Sequence, residues 1–101
     1  VREFLRGAVR LHVLYHAAGG EVHGAWMAEE LAQHGYRISP GSLYPTLHKM
    51  EAEGLLTSRQ VVVDGRSRRC YVATAKGRRE LEATRRQLRE LAAEVLAEDD
   101  R

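Results

Sequence analysis

Ser39-Pro40-Gly41-Ser42-Leu43-Tyr44-Pro45-Thr46-Leu47-His48-Lys49-Met50-Glu51-Ala52-Glu53-Gly54-Leu55-Leu56 is the stretch on which the fold turns. Ser39 stands where its hydroxyl can cap a helix by accepting from an otherwise unpaired backbone N–H, and Pro40 at the first helical position loses nothing. Leu43, Leu47 and Met50 recur at i, i+4 and i+7, which makes one inward stripe. Pro45 is tolerated because it lies near the helix start, where few intrahelical N–H bonds are lost. Gly54 ends the helix, and Leu55-Leu56 are expected to pack beneath it. With the stripe turned inward, Gly41, Pro45, His48 and Lys49 point outward, flanked by Ser42 and Tyr44. Small groups let a helix backbone approach a DNA groove, while Tyr, Ser and Lys can bind phosphate oxygens. An ordinary solvated helix face is also short and polar, so this reading needs a second element.

The chain supplies one immediately downstream, where the apolar period changes. Gln60 to Val63 is β-branched and extended in character, Asp64-Gly65 is a strong tight-turn dipeptide, and Cys70-Tyr71-Val72 reads as the returning strand. The interval Asp64–Arg69 is longer than a two-residue loop, so an irregular hairpin tip is expected. Arg66, Arg68 and Arg69 cluster around it with only Asp64 nearby to offset them. A basic loop beside a recognition helix is placed to touch backbone phosphates or enter a minor groove.

Upstream, Phe4 to Ala18 carries apolar residues on more than one helical side, which predicts a largely buried helix stopped by Gly19-Gly20. A second helix runs from about Val22 or Gly24 to His34 with Trp26, Met27 and Leu31 as apolar contacts, and Gly35 fits the position just past its end. At the other end, Thr74 is a candidate cap for a last helix reaching about Glu98. Three helices followed by a β-hairpin make a winged helix-turn-helix. The expected fold class is mainly α with a small β-hairpin: a winged helix-turn-helix over residues 1–73 and a long C-terminal dimerisation helix over 74–101, in one compact unit.

Dimerisation is argued from that last helix. Leu81, Leu88, Leu91 and Val95 approximate a heptad seam with charges on the other faces. A helix of about 25 residues is roughly 37 Å long, too long for a small three-helix core to cover. Burying part of the seam at roughly 25 cal/mol per Å² favours a partner helix, and a twofold dimer is the commonest solution.

Composition narrows the function. At 101 residues the chain can bury one modest core. The 16 Lys+Arg against 14 Asp+Glu leave a net charge of only +2, so nucleic-acid binding has to come from local clusters. The near-balance averages two unlike ends: Arg66, Arg68 and Arg69 at the wing, and Glu90, Glu94, Glu98, Asp99 and Asp100 at the far end of the last helix. One Cys excludes an internal disulfide framework and a multi-Cys metal site. No apolar run approaches a membrane span, and Val1–Gly7 does not read as a signal peptide, so a soluble cytoplasmic protein is expected. There is no glycine-rich phosphate loop and no paired-carboxylate constellation above background, so no enzyme is expected.

The run from Ser39 to Leu56 resembles the core motif of PadR-type transcriptional regulators, the phenolic-acid-decarboxylase repressor family. Gly65-Arg66-Ser67-Arg68-Arg69-Cys70-Tyr71-Val72-Ala73-Thr74-Ala75-Lys76-Gly77-Arg78 resembles that family's wing and its entry into the final helix. His23-Gly24-Ala25-Trp26 is similar to the start of its second helix, usually a Gly followed by an aromatic, with Ala25 intervening here. The resemblance implies a homodimeric repressor on an inverted-repeat operator of double-stranded DNA, released by an effector ligand. Carried over by position, it places recognition-helix contacts at Ser42, Tyr44, Pro45, His48 and Lys49, with Arg66, Arg68 and Arg69 on phosphate or minor groove; Ser39 and Gly41, at the start of the same helix, are further candidate DNA contacts. The single C-terminal helix looks like the small subfamily, in which that helix and the first one dimerise. Some small members stack flat aromatic drugs between tryptophans of their last helices, but Thr74 to Glu98 contains no aromatic residue.

The histidines offer a different effector. His12 and His16 are four apart on the first helix, and Glu30 and His34 repeat the spacing on the second. Two such pairs from packed helices would give four ligands for Zn²⁺ or a similar ion, such as Cd²⁺. The alternative is a set of partly exposed polar positions hydrogen-bonded at a dimer surface. No cofactor is required; a divalent metal or a small molecule is the candidate effector. His23 is a further candidate phosphate contact, Trp26 is read as a core or interface residue, and Cys70 as a small buried thiol. A rival of another class is a winged-helix module whose third-helix face and basic wing serve an acidic protein partner.

Overall fold

The computed structural model describes residues 1–97. The elements run α1 (Arg2–Gly19), β1 (Val22–His23), α2 (Gly24–Gln33), α3 (Pro40–Ala52), β2 (Leu56–Val63), β3 (Arg66–Ala73) and α4 (Ala75–Val95). This is a winged helix-turn-helix, mainly α with a small antiparallel sheet. The expected end of the last helix at Glu98, and the acids Glu98, Asp99 and Asp100, lie outside the described residues.

The core forms where the apolar stripes meet. Val9, Val13, Leu14 and Ala17 of α1 face Met27 and Leu31 of α2 and the Leu43, Leu47, Met50 stripe of α3. Leu55 and Leu56 close the cluster from beneath α3, as expected, and Tyr71 from β3 is buried at 1% exposure. Leu81 of α4 belongs to the same core at 6% exposure. That corrects the seam: Leu81 is spent inside its own chain, while Leu88, Leu91 and Val95 remain exposed.

The sheet is larger than the sequence suggests. Val22-His23 pairs antiparallel with Tyr71 and Cys70, making a third strand in the order β1-β3-β2. The hairpin tip is tight rather than irregular, since Val63 pairs with Arg66 and only Asp64-Gly65 turns. Both turn residues have positive φ, 51° and 76°, as the twist-matched type I′ turn requires. Cys70 is half-exposed rather than buried, because the alternation that puts Tyr71 inward puts its neighbour on the outer face.

Two junctions fix α4. The Thr74 hydroxyl accepts from Gly77 N at 3.0 Å, giving the expected cap, and donates to the Gly54 carbonyl at 2.5 Å. Gly77 packs so close that an added Cβ would lie 2.1 Å from the Leu55 carbonyl oxygen. At α3 the expected cap bond is replaced: Ser39 is the N-cap residue, but its hydroxyl bonds the Ser42 hydroxyl at 3.3 Å rather than a backbone N–H.

Candidate nucleic-acid interface

With Leu43, Leu47 and Met50 fully buried, the opposite side of α3 is open: Gly41, Ser42, Tyr44, Pro45, His48 and Lys49 are all exposed, as is Ser39 at the cap. Every α3 residue picked for DNA contact therefore lies on an accessible face. Tyr44 is further fixed. Its ring lies over Gly24, the first residue of α2, where an added Cβ would sit 2.5 Å from Tyr44 Cε1. Gly24 is the residue that reading by spacing missed; its signal is a glycine where a helix former would otherwise serve.

Tyr44 and the wing share a cleft of about 320 Å³, lined by His23, Gly24, Ala25, Tyr44 and the run Arg66 to Arg69. The two-residue turn sorts the three wing arginines by alternation. Arg66 and Arg68 share one face of β3 and Arg69 takes the other, where it donates to Ser58 Oγ at 3.0 Å. Ser58 in turn donates to the Glu51 carboxylate at 2.8 and 2.9 Å, so Arg69 is tied to the base of the wing. Arg68 is differently placed. Its guanidinium lies 3.0 Å from His23 Nε2, but His23 Nδ1 already accepts from Trp26 N at 3.2 Å as the α2 cap. A neutral imidazole accepting at Nδ1 carries its proton on Nε2, so Arg68 finds no acceptor there and keeps its donors for another group. Cationic donors facing a cleft beside an exposed helix suit anionic backbone oxygens.

A scan against family models matches residues 13–83 to the transcriptional regulator PadR-like family. The chain belongs to the PadR-like family of transcriptional regulators. It is 66% identical over 96 residues, 95% of this chain and 90% of the relative, to the transcriptional regulator Rv3488 of Mycobacterium tuberculosis. Among solved structures it is similar to a PadR-like transcriptional regulator from Bacillus cereus, with TM-score 0.81, 27% identity, and coverage of 96% of this chain and 99% of that one. It also shares its fold with Bacillus subtilis PadR in complex with operator DNA, at TM-score 0.69 and 21% identity over 76% of this chain and 45% of that one. The PadR-like family is one of transcriptional regulators rather than enzymes. No helix among the described residues is long and apolar enough to cross a membrane.

In this PadR-like chain a second cluster lies away from α3. The two i,i+4 pairs converge: the rings of His12 and His34 are 5.0 Å apart and those of His12 and His16 6.1 Å apart. Glu30 Oε1 lies 3.2 Å from His34 Nε2 and 3.6 Å from His16 Nε2. Tyr36 meets His12 edge-on, and Trp26 meets His16 edge-on. Trp26 is thus partly exposed against the cluster rather than in the core. Burial, then the neighbouring His34 and His16, hold the His12 imidazole below its ordinary pKa, with Glu30 opposing. Among the described residues, no three His, Cys, Asp or Glu side chains stand as they are in a metal-holding geometry.

Proposed function

We propose that the chain is a homodimeric, sequence-specific DNA-binding repressor that sits on an inverted-repeat operator and leaves it when an effector binds. The observation that carries this reading is the exposed face of α3, with Ser42, Tyr44, Pro45, His48 and Lys49, together with the cleft that Tyr44 shares with Arg66 and Arg68 of the wing. The Bacillus subtilis PadR held on operator DNA supports the same use of this fold. The dimer reading rests on exposed apolar side chains at one end: Leu88, Leu91 and Val95 of α4 and Leu96 just past it, near Phe4 of α1. A groove of about 430 Å³ between α1 and α4 is lined by Phe4, Leu11, His12, Tyr36, Leu88 and Leu91. A twofold partner would double the phosphate contacts of each molecule.

Selection of bound DNA from random fragments yields the operator and its half-site spacing. On that operator, Tyr44→Ala and Lys49→Ala each weaken binding strongly, and parent binding falls with salt. Parent-like binding by both variants overturns the reading head, and capture of no DNA at all favours the rival in which this face serves an acidic protein.

Two chemistries are open to the effector, a small molecule or a divalent cation, and the convergence of His12, His16, Glu30 and His34 favours the cation. The donor types suit Zn²⁺ or Cd²⁺, and a depressed imidazole pKa leaves His12 in the neutral, ligating form. Their present arrangement does not yet enclose an ion, so binding would draw the side chains inward. Titration of Zn²⁺ and Cd²⁺ tests this. Equal affinity in the parent and a His12→Ala/His16→Ala variant removes the pair as ligands.

A further inference from the structure

The exposed face of α3 has two flanks, and only one of them looks toward the wing. Tyr44 is on that side, in the cleft with Arg66 and Arg68. Ser42 and Thr46, one helical turn apart, are on the other, and they line a separate groove of about 620 Å³. Its cationic lining is Arg2 and Arg6 from the first turns of α1 and Arg37 from the loop between α2 and α3. All three arginines are exposed, and among the described residues none makes an ion pair or a side-chain hydrogen bond. No carboxylate lines the groove. Arg10, next along the same side of α1, shows the contrast, because it is paired with Glu53.

A helix in a DNA major groove lies between two phosphate backbones, about 12 Å apart. Cationic groups on one flank of α3 reach one backbone only. We propose that Arg2, Arg6 and Arg37, with the Ser42 hydroxyl beside them, form the second phosphate-binding surface of the operator complex. They hold the backbone on the side of the recognition helix opposite the wing. The assignment rests on the DNA-binding reading above and adds to it three residues that lie outside the motif. Guanidinium groups with free donors match phosphate oxygens in charge and geometry, and the Ser42 hydroxyl, which accepts from Ser39 Oγ and keeps its own proton, can share the same oxygens, whereas Thr46 Oγ1 already donates to the Ser42 carbonyl. The surface carries no sequence information; it sets register and affinity.

The test uses the full chain on its selected operator, by fluorescence anisotropy over a range of salt, with a triple Arg2→Ala/Arg6→Ala/Arg37→Ala variant. The slope of log affinity against log salt should flatten by about 0.9 for each lost contact, up to about 5 in a dimer. Affinity near physiological salt should fall roughly 100-fold for operator and unrelated DNA alike. The matching Lys triple should keep most of the slope. Phosphate-ethylation interference adds a positional readout: the variant should lose sensitivity along one backbone of each half-site and keep it on the wing side. An unchanged slope in the triple variant, with the slope still flattened by Arg66→Ala/Arg68→Ala, overturns this surface and leaves the DNA-binding reading standing. A parent that selects no operator overturns both. If inorganic phosphate binds the parent and not the triple variant while operator affinity is equal in the two, the groove serves a small anion and the proposal fails.

Discussion

The two halves of α4 are one continuous helix with opposite fates. Its first turns are locked onto the winged domain: Thr74 bonds Gly54 and Gly77, Gly77 presses on the Leu55 carbonyl, and Leu81 is 6% exposed. Its last turns carry Leu88, Leu91, Val95 and Leu96 at 45, 51, 64 and 76% exposure. A regular apolar seam thus does not tell which side chains a chain's own core will claim. The claim is settled by what packs on each turn: Gly77 and Leu81 meet the winged domain closely, whereas Leu88 and Leu91 only line an open groove against α1. The free half keeps an apolar face that costs solubility unless a second surface covers it.

The largest effect should come from the locked half. Gly77→Ala drives a methyl into a backbone carbonyl that cannot rotate away, so we expect a loss of roughly 3 kcal/mol in urea unfolding. A loss below about 0.5 kcal/mol would show that helix and carbonyl separate freely, and the contrast between the halves would dissolve. The free half should respond in association rather than in folding. Leu88→Ser/Leu91→Ser is expected to raise the dimer Kd at least 100-fold, about 2.7 kcal/mol, in sedimentation equilibrium, with the helical circular dichroism retained. Unchanged association would overturn the end of α4 as the proposed dimer surface.

A second glycine contact sharpens what close packing is for. At Gly77 the neighbour is backbone, whereas at Gly24 it is the ring of Tyr44, an exposed side chain that can swing. Gly24→Ala should therefore cost little stability but displace Tyr44, lowering operator affinity about tenfold, or 1.4 kcal/mol. The double variant Gly24→Ala/Tyr44→Ala should bind like Tyr44→Ala alone, because the methyl acts only through the ring. Additive losses would mean that Gly24 meets DNA itself.

Much of the proposed DNA-binding face was legible in the chain. The stripe Leu43, Leu47, Met50 orients α3 by angle alone, and that orientation exposes all the α3 residues chosen for DNA contact. The cap at Thr74 was legible for the same reason, since a local bond has a local signal. What was not legible depends on partners distant in sequence. β1 is two residues long, too short for any alternation, and exists because Tyr71 and Cys70 offer it an edge. The hairpin looked longer-tipped than it is because Arg66 to Arg69 read as a polar loop, while strand pairing with Gln60 to Val63 holds them in register. The Arg2, Arg6 and Arg37 groove has no sequence pattern at all; it arises where the start of α1 passes the loop before α3.

The smallest effect belongs beside the locked half, where Arg10 of α1 donates to Glu53, one residue before the Gly54 that Thr74 bonds. The Arg10 hydrogen bond, more than its charge, holds the Glu53 carboxyl below the usual carboxylate range. A depressed folded-state pKa contributes stability that is present above the ordinary carboxylate value and is lost as pH falls through the folded one. Both side chains are about one-third exposed, at 31 and 38%, so water screens the pair and its contribution should be about 0.5 kcal/mol or less. Glu53→Gln should lower the urea midpoint slightly at pH 7, and the difference from the parent should persist down to the ordinary carboxylate range. Below that range the two proteins should converge, because the parent then carries a neutral Glu53 as well. A difference that stayed constant into acid would mean that Gln disturbs the packing at the α3 end rather than the ion pair. The locking of α4 would then extend one residue further back than Thr74 and Gly77 place it.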